Sequence, residues 1–90
     1  MTETRDAVVV FRHWSGRVDI LGGKALLVDE KDLLSQGAAL YYLYYGDGRY
    51  EVYEEAFLAT LALWYASQTD SGAYLEVVDR NGYTIAVIGL

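Results

Sequence analysis

Tyr41-Tyr42-Leu43-Tyr44-Tyr45-Gly46-Asp47-Gly48-Arg49-Tyr50-Glu51-Val52-Tyr53 admits two backbone readings, and they give different proteins. In the first, a helix runs from Leu33 and Leu34 through Gly37, with Tyr41 and Tyr45 on its stripe. In the second, Ala38–Tyr45 is a strand, Gly46-Asp47-Gly48 is a turn and Tyr50–Glu55 returns beside it. A glycine inside a helix costs about 1 kcal/mol relative to alanine. Four tyrosines in five residues suit a pleated, half-buried surface better. The hairpin is therefore the expected structure.

The faces of that hairpin follow from the turn. With the turn centred on Asp47-Gly48, Tyr45 lies opposite Tyr50 and Leu43 opposite Val52, on one face with Tyr41. The second face then holds Tyr42 opposite Tyr53 and Tyr44 opposite Glu51. Six of the chain's nine tyrosines fall in this stretch, so it must do something with both faces. Tyrosine joins a large apolar body to a polar tip, which places it where a surface is half buried or meets a partner. Tyr42, Tyr44, Tyr53, Glu51 and Glu55 are the candidate partner-binding residues: an aromatic patch with carboxylates is suited to an arginine- or lysine-rich surface. The competing reading covers both faces within the domain or with a second copy of the chain.

On the N-terminal side, Ala7–Trp14 is rich in β-branched and aromatic residues and predicts a strand. Ser15-Gly16 is a turn signal, and Arg17–Leu21 alternates as a return strand before Gly22-Gly23 breaks it. Lys24–Val28 reads either as a third short strand or as the approach to a helix. Asp29–Gly37 predicts a short helix, about 29–36. Asp29 is suited to the N-cap, acids fill the first turn, and Gly37 can take a left-handed conformation just past the end.

On the C-terminal side, Glu54–Gln68 predicts a longer helix. Tyr53, Phe57, Leu61, Trp64 and Gln68 form one stripe, with Leu58, Ala62 and Tyr65 beside it and Ala56, Ala59, Leu63 and Ala66 on the remaining face. A helix that is apolar all round is expected to be enclosed. Tyr74–Asp79 and Tyr83–Ile88 flank Arg80-Asn81-Gly82, a strong hairpin signal because Asn and Gly tolerate positive φ. The expected fold is α+β: an antiparallel sheet built from hairpins, with one long apolar helix (about 54–68) packed on it and one short helix. The order is β-β-α-β-β-α-β-β in a single domain spanning 1–90.

Composition narrows the class. A chain of 90 residues buries only about 60% of its unfolded surface, which leaves a thin stability margin. There is no cysteine to staple it and no proline; the 53% apolar content points to a dense core, a dimer interface, or both. The longest nearly apolar run, Ala56–Ala66, is far short of the roughly 20 residues a membrane span needs. Met1–Asp6 is polar and mixed in charge, unlike a targeting signal. A soluble cytoplasmic protein is expected.

The net charge is −6. Residues 1–28 sum to +1 and residues 29–90 to −7. Such a surface repels phosphate backbones and attracts basic partners. Moderate negative charge also simply keeps a small protein soluble.

Motifs for chemistry are weak. His13 is the only histidine, with Ser15 and Asp19 nearby, but a hairpin rarely supplies the geometry of a Ser-His-Asp triad. One histidine and no cysteine make no zinc site. The acidic groups Asp29, Glu30, Asp32 and Glu51, Glu54, Glu55 sit where helices begin, so capping and the helix dipole account for them. Asp79-Arg80-Asn81-Gly82 opens like a calcium loop, yet its twelfth position is Leu90 rather than glutamate. Gly46-Asp47-Gly48 lacks the further glycine and lysine of a phosphate cradle. Phe11–Arg17 mixes aromatic and basic residues, but two arginines are a small footprint against the overall charge. No catalytic residue, cofactor or metal is expected, and no direct nucleic-acid or membrane binding.

In size, charge and lack of cysteine the chain is similar to many phage-encoded inhibitors of host nucleic-acid machines, anti-CRISPR proteins among them. That likeness implies an inhibitor covering a basic site on another protein, and it carries no residue correspondence. The expectation is a non-catalytic protein-binding module whose partner is a basic protein surface. The alternative is a structural homodimer in which the tyrosine-rich surface is the self-association interface.

Overall fold

The computed structural model describes residues 8–22 and 26–89. Met1–Asp6, the expected strand start at Ala7, and Lys24 and Ala25 of the expected third strand lie outside the described residues. Nine elements follow one another: β1 (Val8–Arg12), β2 (Val18–Gly22), β3 (Leu26–Asp29), α1 (Glu30–Ser35), β4 (Ala38–Tyr44), β5 (Tyr50–Tyr53), α2 (Ala56–Ser67), β6 (Tyr74–Asp79) and β7 (Thr84–Gly89). Among the described residues the architecture is α+β, with two helices and two sheets rather than one. The first sheet has the order β2-β1-β3, the second β5-β4-β6-β7. The first sheet is mixed, because β3 runs parallel to β1. An all-hairpin reading could not find that pairing, since it joins strands that are not consecutive in the chain.

One loop geometry recurs in all three hairpins. His13 N donates to Arg17 O at 2.7 Å and Gly16 N to His13 O at 2.9 Å. Tyr45 and Arg49 close the second loop in the same way, with Gly48 N on Tyr45 O, and Asp79 and Tyr83 close the third, with Gly82 N on Asp79 O. Gly16, Gly48 and Gly82 all have φ near +90°. This is the three-residue loop in which a tight turn is followed by a left-handed residue, a position made for glycine.

That loop corrects the expected register. A turn on Asp47-Gly48 alone would set Tyr45 opposite Tyr50. The three-residue loop instead sets Tyr44 opposite Tyr50, Leu43 opposite Glu51, Tyr42 opposite Val52 and Tyr41 opposite Tyr53. A shift of one residue on one strand exchanges the faces of that strand relative to its neighbour. Tyr53 and Glu51 therefore leave the face that holds Tyr42 and Tyr44.

The short helix forms as its caps suggest. The Asp29 carboxylate accepts from Lys31 N at 3.1 Å, and Gly37 has φ +95° just past the end. The second helix is 12 residues rather than a long apolar element: Glu54 precedes it, Glu55 is its N-cap and Gln68 its C-cap. Nor is it enclosed. Ala56, Ala59, Thr60 and Leu63 are buried against the second sheet, whereas Leu58 is 49% and Tyr65 64% exposed. The face of Ala56, Ala59 and Leu63 is thus the inner one, and the helix has an exposed side instead of the expected full enclosure. Alanines there let the helix backbone come close to the sheet, and a single helix on a sheet has an outer side whatever its residues are.

The core is where α2, α1 and the inner faces of both sheets meet. Tyr41 and Leu43 of β4, Leu75 and Val77 of β6, Leu63 of α2 and Phe11 of β1 are almost wholly buried. Phe11 and Phe57 join the first sheet to α2 with ring centroids 5.1 Å apart. Each such large apolar side chain contributes roughly 1.5–3 kcal/mol by leaving water. Thr60, the buried polar residue of α2, donates its hydroxyl to Ala56 O at 2.8 Å, so it carries no open hydrogen-bonding demand. No helix among the described residues is long and apolar enough to cross a membrane.

Candidate functional site

Tyr41 and Leu43 turn inward on β4, so Tyr42 and Tyr44 must turn outward, onto the face away from α2. Tyr50 lies opposite Tyr44 on β5, and Tyr74 lies opposite Tyr44 on β6. Residues directly opposite in an antiparallel pair share a face. Four phenol rings from three strands thus meet on the open side of the second sheet. Tyr44 is their centre: its ring centroid lies 5.3 Å from Tyr74, 5.6 Å from Tyr50 and 6.3 Å from Tyr42. Tyr42 and Tyr50 are 5.9 Å apart. Offset rings at such spacings support one another and hold their rotamers.

Val52, opposite Tyr42, and Val87, two strands over, extend the apolar surface. The one carboxylate on this face among the described β4–β7 strand residues is Glu76, opposite Tyr42 and Val87. It accepts from the Thr84 hydroxyl at 2.5 Å. Partial burial among the rings, then the Glu76 charge and the neighbouring phenols, push the Tyr44 hydroxyl above its ordinary range. It stays protonated, and so a hydrogen-bond donor, well beyond neutral pH.

The five sequence candidates divide. Tyr42 and Tyr44 are on the open face. Tyr53 and Glu51 are on the helix face, where the Glu51 carboxylate accepts from the Tyr53 hydroxyl at 2.8 Å and the Tyr45 hydroxyl at 3.1 Å. Burial first, then this bond, push Tyr53 up to about 12. Glu55 is the exposed N-cap of α2, with no side-chain capping bond. Tyr50, Tyr74 and Glu76 were missed. Tyr50 was within reach, had Gly48 been placed in the third position of the loop. Tyr74 and Glu76 depend on β6 lying beside β4, a pairing across 30 residues that no local spacing encodes.

The other constellations resolve into local contacts. His13 Nε2 lies 2.5 Å from Asp19 Oδ2, and its ring packs against both Phe11 and Phe57. Ser15 turns away, its hydroxyl oxygen accepting from Arg17 N at 3.4 Å. Arg17 sits 3.4 Å from Asp19, and Arg12 3.6 Å from Asp29. The exposed Trp14 has the Lys31 ammonium 5.7 Å above its ring. Arg12, Arg17 and His13 of the first hairpin are thereby paired with acids, and its rings with Lys31 or Phe57. A shallow groove of about 510 Å³ beside Leu34, Gly37, Asp79 and Arg80 offers one acid, one base and small side chains. Among the described residues, no three histidine, aspartate or glutamate side chains converge as a metal site.

Comparison with protein-family models, with curated proteins and with solved structures finds no match.

Proposed function

We propose that this chain is a non-catalytic protein-binding module, an inhibitor or regulator that covers a basic surface of a partner with the open tyrosine face of its second sheet. The observation that carries this reading is the four-ring cluster of Tyr42, Tyr44, Tyr50 and Tyr74, on a sheet face that no described helix or strand packs over, in a chain of net charge −6. Aromatic anchors held rigid by their neighbours lose little freedom on docking, and tyrosine is enriched among residues that dominate binding energy. Arginine stacks on such rings, and Glu76 among them can accept from the same guanidinium. The acids other than Glu51, whose carboxylate is engaged by Tyr45 and Tyr53, steer the encounter, so association should weaken as salt rises. A phage or mobile-element inhibitor of a nucleic-acid-binding protein is a setting that fits this chemistry.

Titration with an arginine-rich peptide, followed by NMR, tests the reading. Shifts are expected at Tyr42, Tyr44, Tyr50, Tyr74 and Glu76, with a loss of roughly 2 kcal/mol for Tyr44→Ala if it is the anchor. Shifts confined to exposed acids elsewhere, such as Asp47 and Glu54, would reduce the effect to bulk charge. Shifts at the tyrosines on raising protein concentration alone would favour the structural homodimer, in which those rings bury one another.

A further inference from the structure

The two sheets have four edge strands, and three carry the features that keep an edge from pairing. β5 is four residues long, contains Glu51 and is flanked by Arg49 and Glu54. β2 contains Asp19, and β3 is four residues ending in Asp29, which pairs with Arg12. Charges and shortness of this kind are the usual guards of a sheet edge. β7 has neither: Thr84-Ile85-Ala86-Val87-Ile88-Gly89 is six residues without a charge, and the uncharged run reaches back to Asn81. Its inner edge pairs with β6, and no described strand lies on its outer edge. Val87, 64% exposed, stands on the open face.

We infer that β7 is the seam of a homodimer, pairing antiparallel with β7 of a second copy about a two-fold axis at Val87. The seam is backbone pairing along the β7 edge; Val87 borders the tyrosine face, but the pairing uses none of the four rings and does not depend on what they bind. The axis follows from the face rule. Opposed residues of an antiparallel pair share a face, so a two-fold normal to the sheet must set residues of equal parity opposite each other. A register irregularity between Val77 and Val78 leaves Ile85 without a partner on β6, so the regular part of the edge is Ala86–Gly89. Centring on Val87 sets it against the partner's Val87 and sets Ala86 against the partner's Ile88. The occupant follows from charge. Two molecules of −6 repel, and this uncharged stretch lets them touch without like charges meeting. A basic partner gains no attraction from it. Centred on Val87, the pairing spans at most residues 85–89 of each copy, a seam about 17 Å long, which belongs with small, reversible interfaces.

The test uses the whole chain at several concentrations. Light scattering should show about twice the 10.1 kDa chain mass at high concentration, falling on dilution and rising with salt. Basic-partner binding has the opposite salt dependence, so failure of one reading is distinct from failure of the other. Hydrogen exchange adds a pattern. A lone edge strand protects only alternate amides, whereas a paired one protects all of Ala86–Gly89. Val87→Lys, which sets a lysine opposite Glu76 within the chain, should keep the fold by circular dichroism. It should raise the dimer dissociation constant at least about tenfold, since two lysines then meet at the axis. The chain has no cysteine, so Val87→Cys gives a direct disulfide test, with Val52→Cys, on the opposite edge strand of the same face, as the control. Fast cross-linking of Val87→Cys alone supports the seam. A monomer at every concentration overturns it, as does equal or faster cross-linking of Val52→Cys. Amide protection in β7 that ignores dilution also overturns it, because the edge is then covered from within the chain.

Discussion

Glu51 shows how one carboxylate changes meaning with one residue of register. On the open face it would be a free charge steering a partner. On the helix face it accepts from two phenols, Tyr53 and Tyr45, and Arg49 lies 4.8 Å over the Tyr45 ring. Its charge is directed at tyrosines of its own sheet. Glu51→Gln is therefore expected to lower the Tyr53 hydroxyl from about 12 toward the ordinary phenol range, read by ultraviolet titration of tyrosinate. Association with a basic partner should keep the wild-type salt slope. An unmoved tyrosine titration would show that burial alone holds Tyr53 up. A reduced salt slope would return Glu51 to the binding surface.

At the scale of elements, the three-residue loop is the unit that sets the faces. Gly82 has φ +87°, and a Cβ added there meets nothing within 4 Å. Gly82→Ala thus isolates the backbone cost of the left-handed position, expected at roughly 1–2 kcal/mol and measured by urea unfolding. A neutral substitution would mean that the loop relaxes to another turn, and the β6–β7 register with it. The same contrast explains what was legible in the sequence. Hairpin positions were marked by Ser15-Gly16, Asp47-Gly48 and Asn81-Gly82, and the short helix by Asp29 and Gly37. Those signals are local, because a cap or a positive φ involves only a few neighbouring residues. The register of β4 on β5 was read one residue out, since a glycine marks a turn without saying how many residues precede it. The pairing of β6 with β4, which brings Tyr74 to Tyr44, and the parallel pairing of β3 with β1 depend on distant contacts. Burial of the alanine face of α2 was hidden by composition: when no side of a helix is polar, periodicity cannot choose the inner one.

The described fold is thin, 46 × 35 × 16 Å in its backbone extents, so much of it is surface and most of its tyrosines are spread over both sides of one sheet. Tyr53 is pushed up to about 12, and Tyr41, Tyr44 and Tyr45 move in the same direction, each first through burial and then through a nearby carboxylate. In the unfolded chain these phenols lose their protons near pH 10. Between there and their folded values the unfolded chain holds fewer protons than the folded one, so rising pH favours unfolding. The stabilisation is complete below about pH 10 and, for Tyr53, is gone above about 12. Urea midpoints measured across the alkaline range should therefore be level at first and then fall steeply. Tyr53→Phe separates this linkage from the general repulsion of an increasingly negative chain. It removes one titrating group, so relative to its own value at neutral pH the variant should lose less stability than the wild type over that window. Equal losses in the two proteins would assign the alkaline transition to net charge, and would leave the bond between Tyr53 and Glu51 without a part in it.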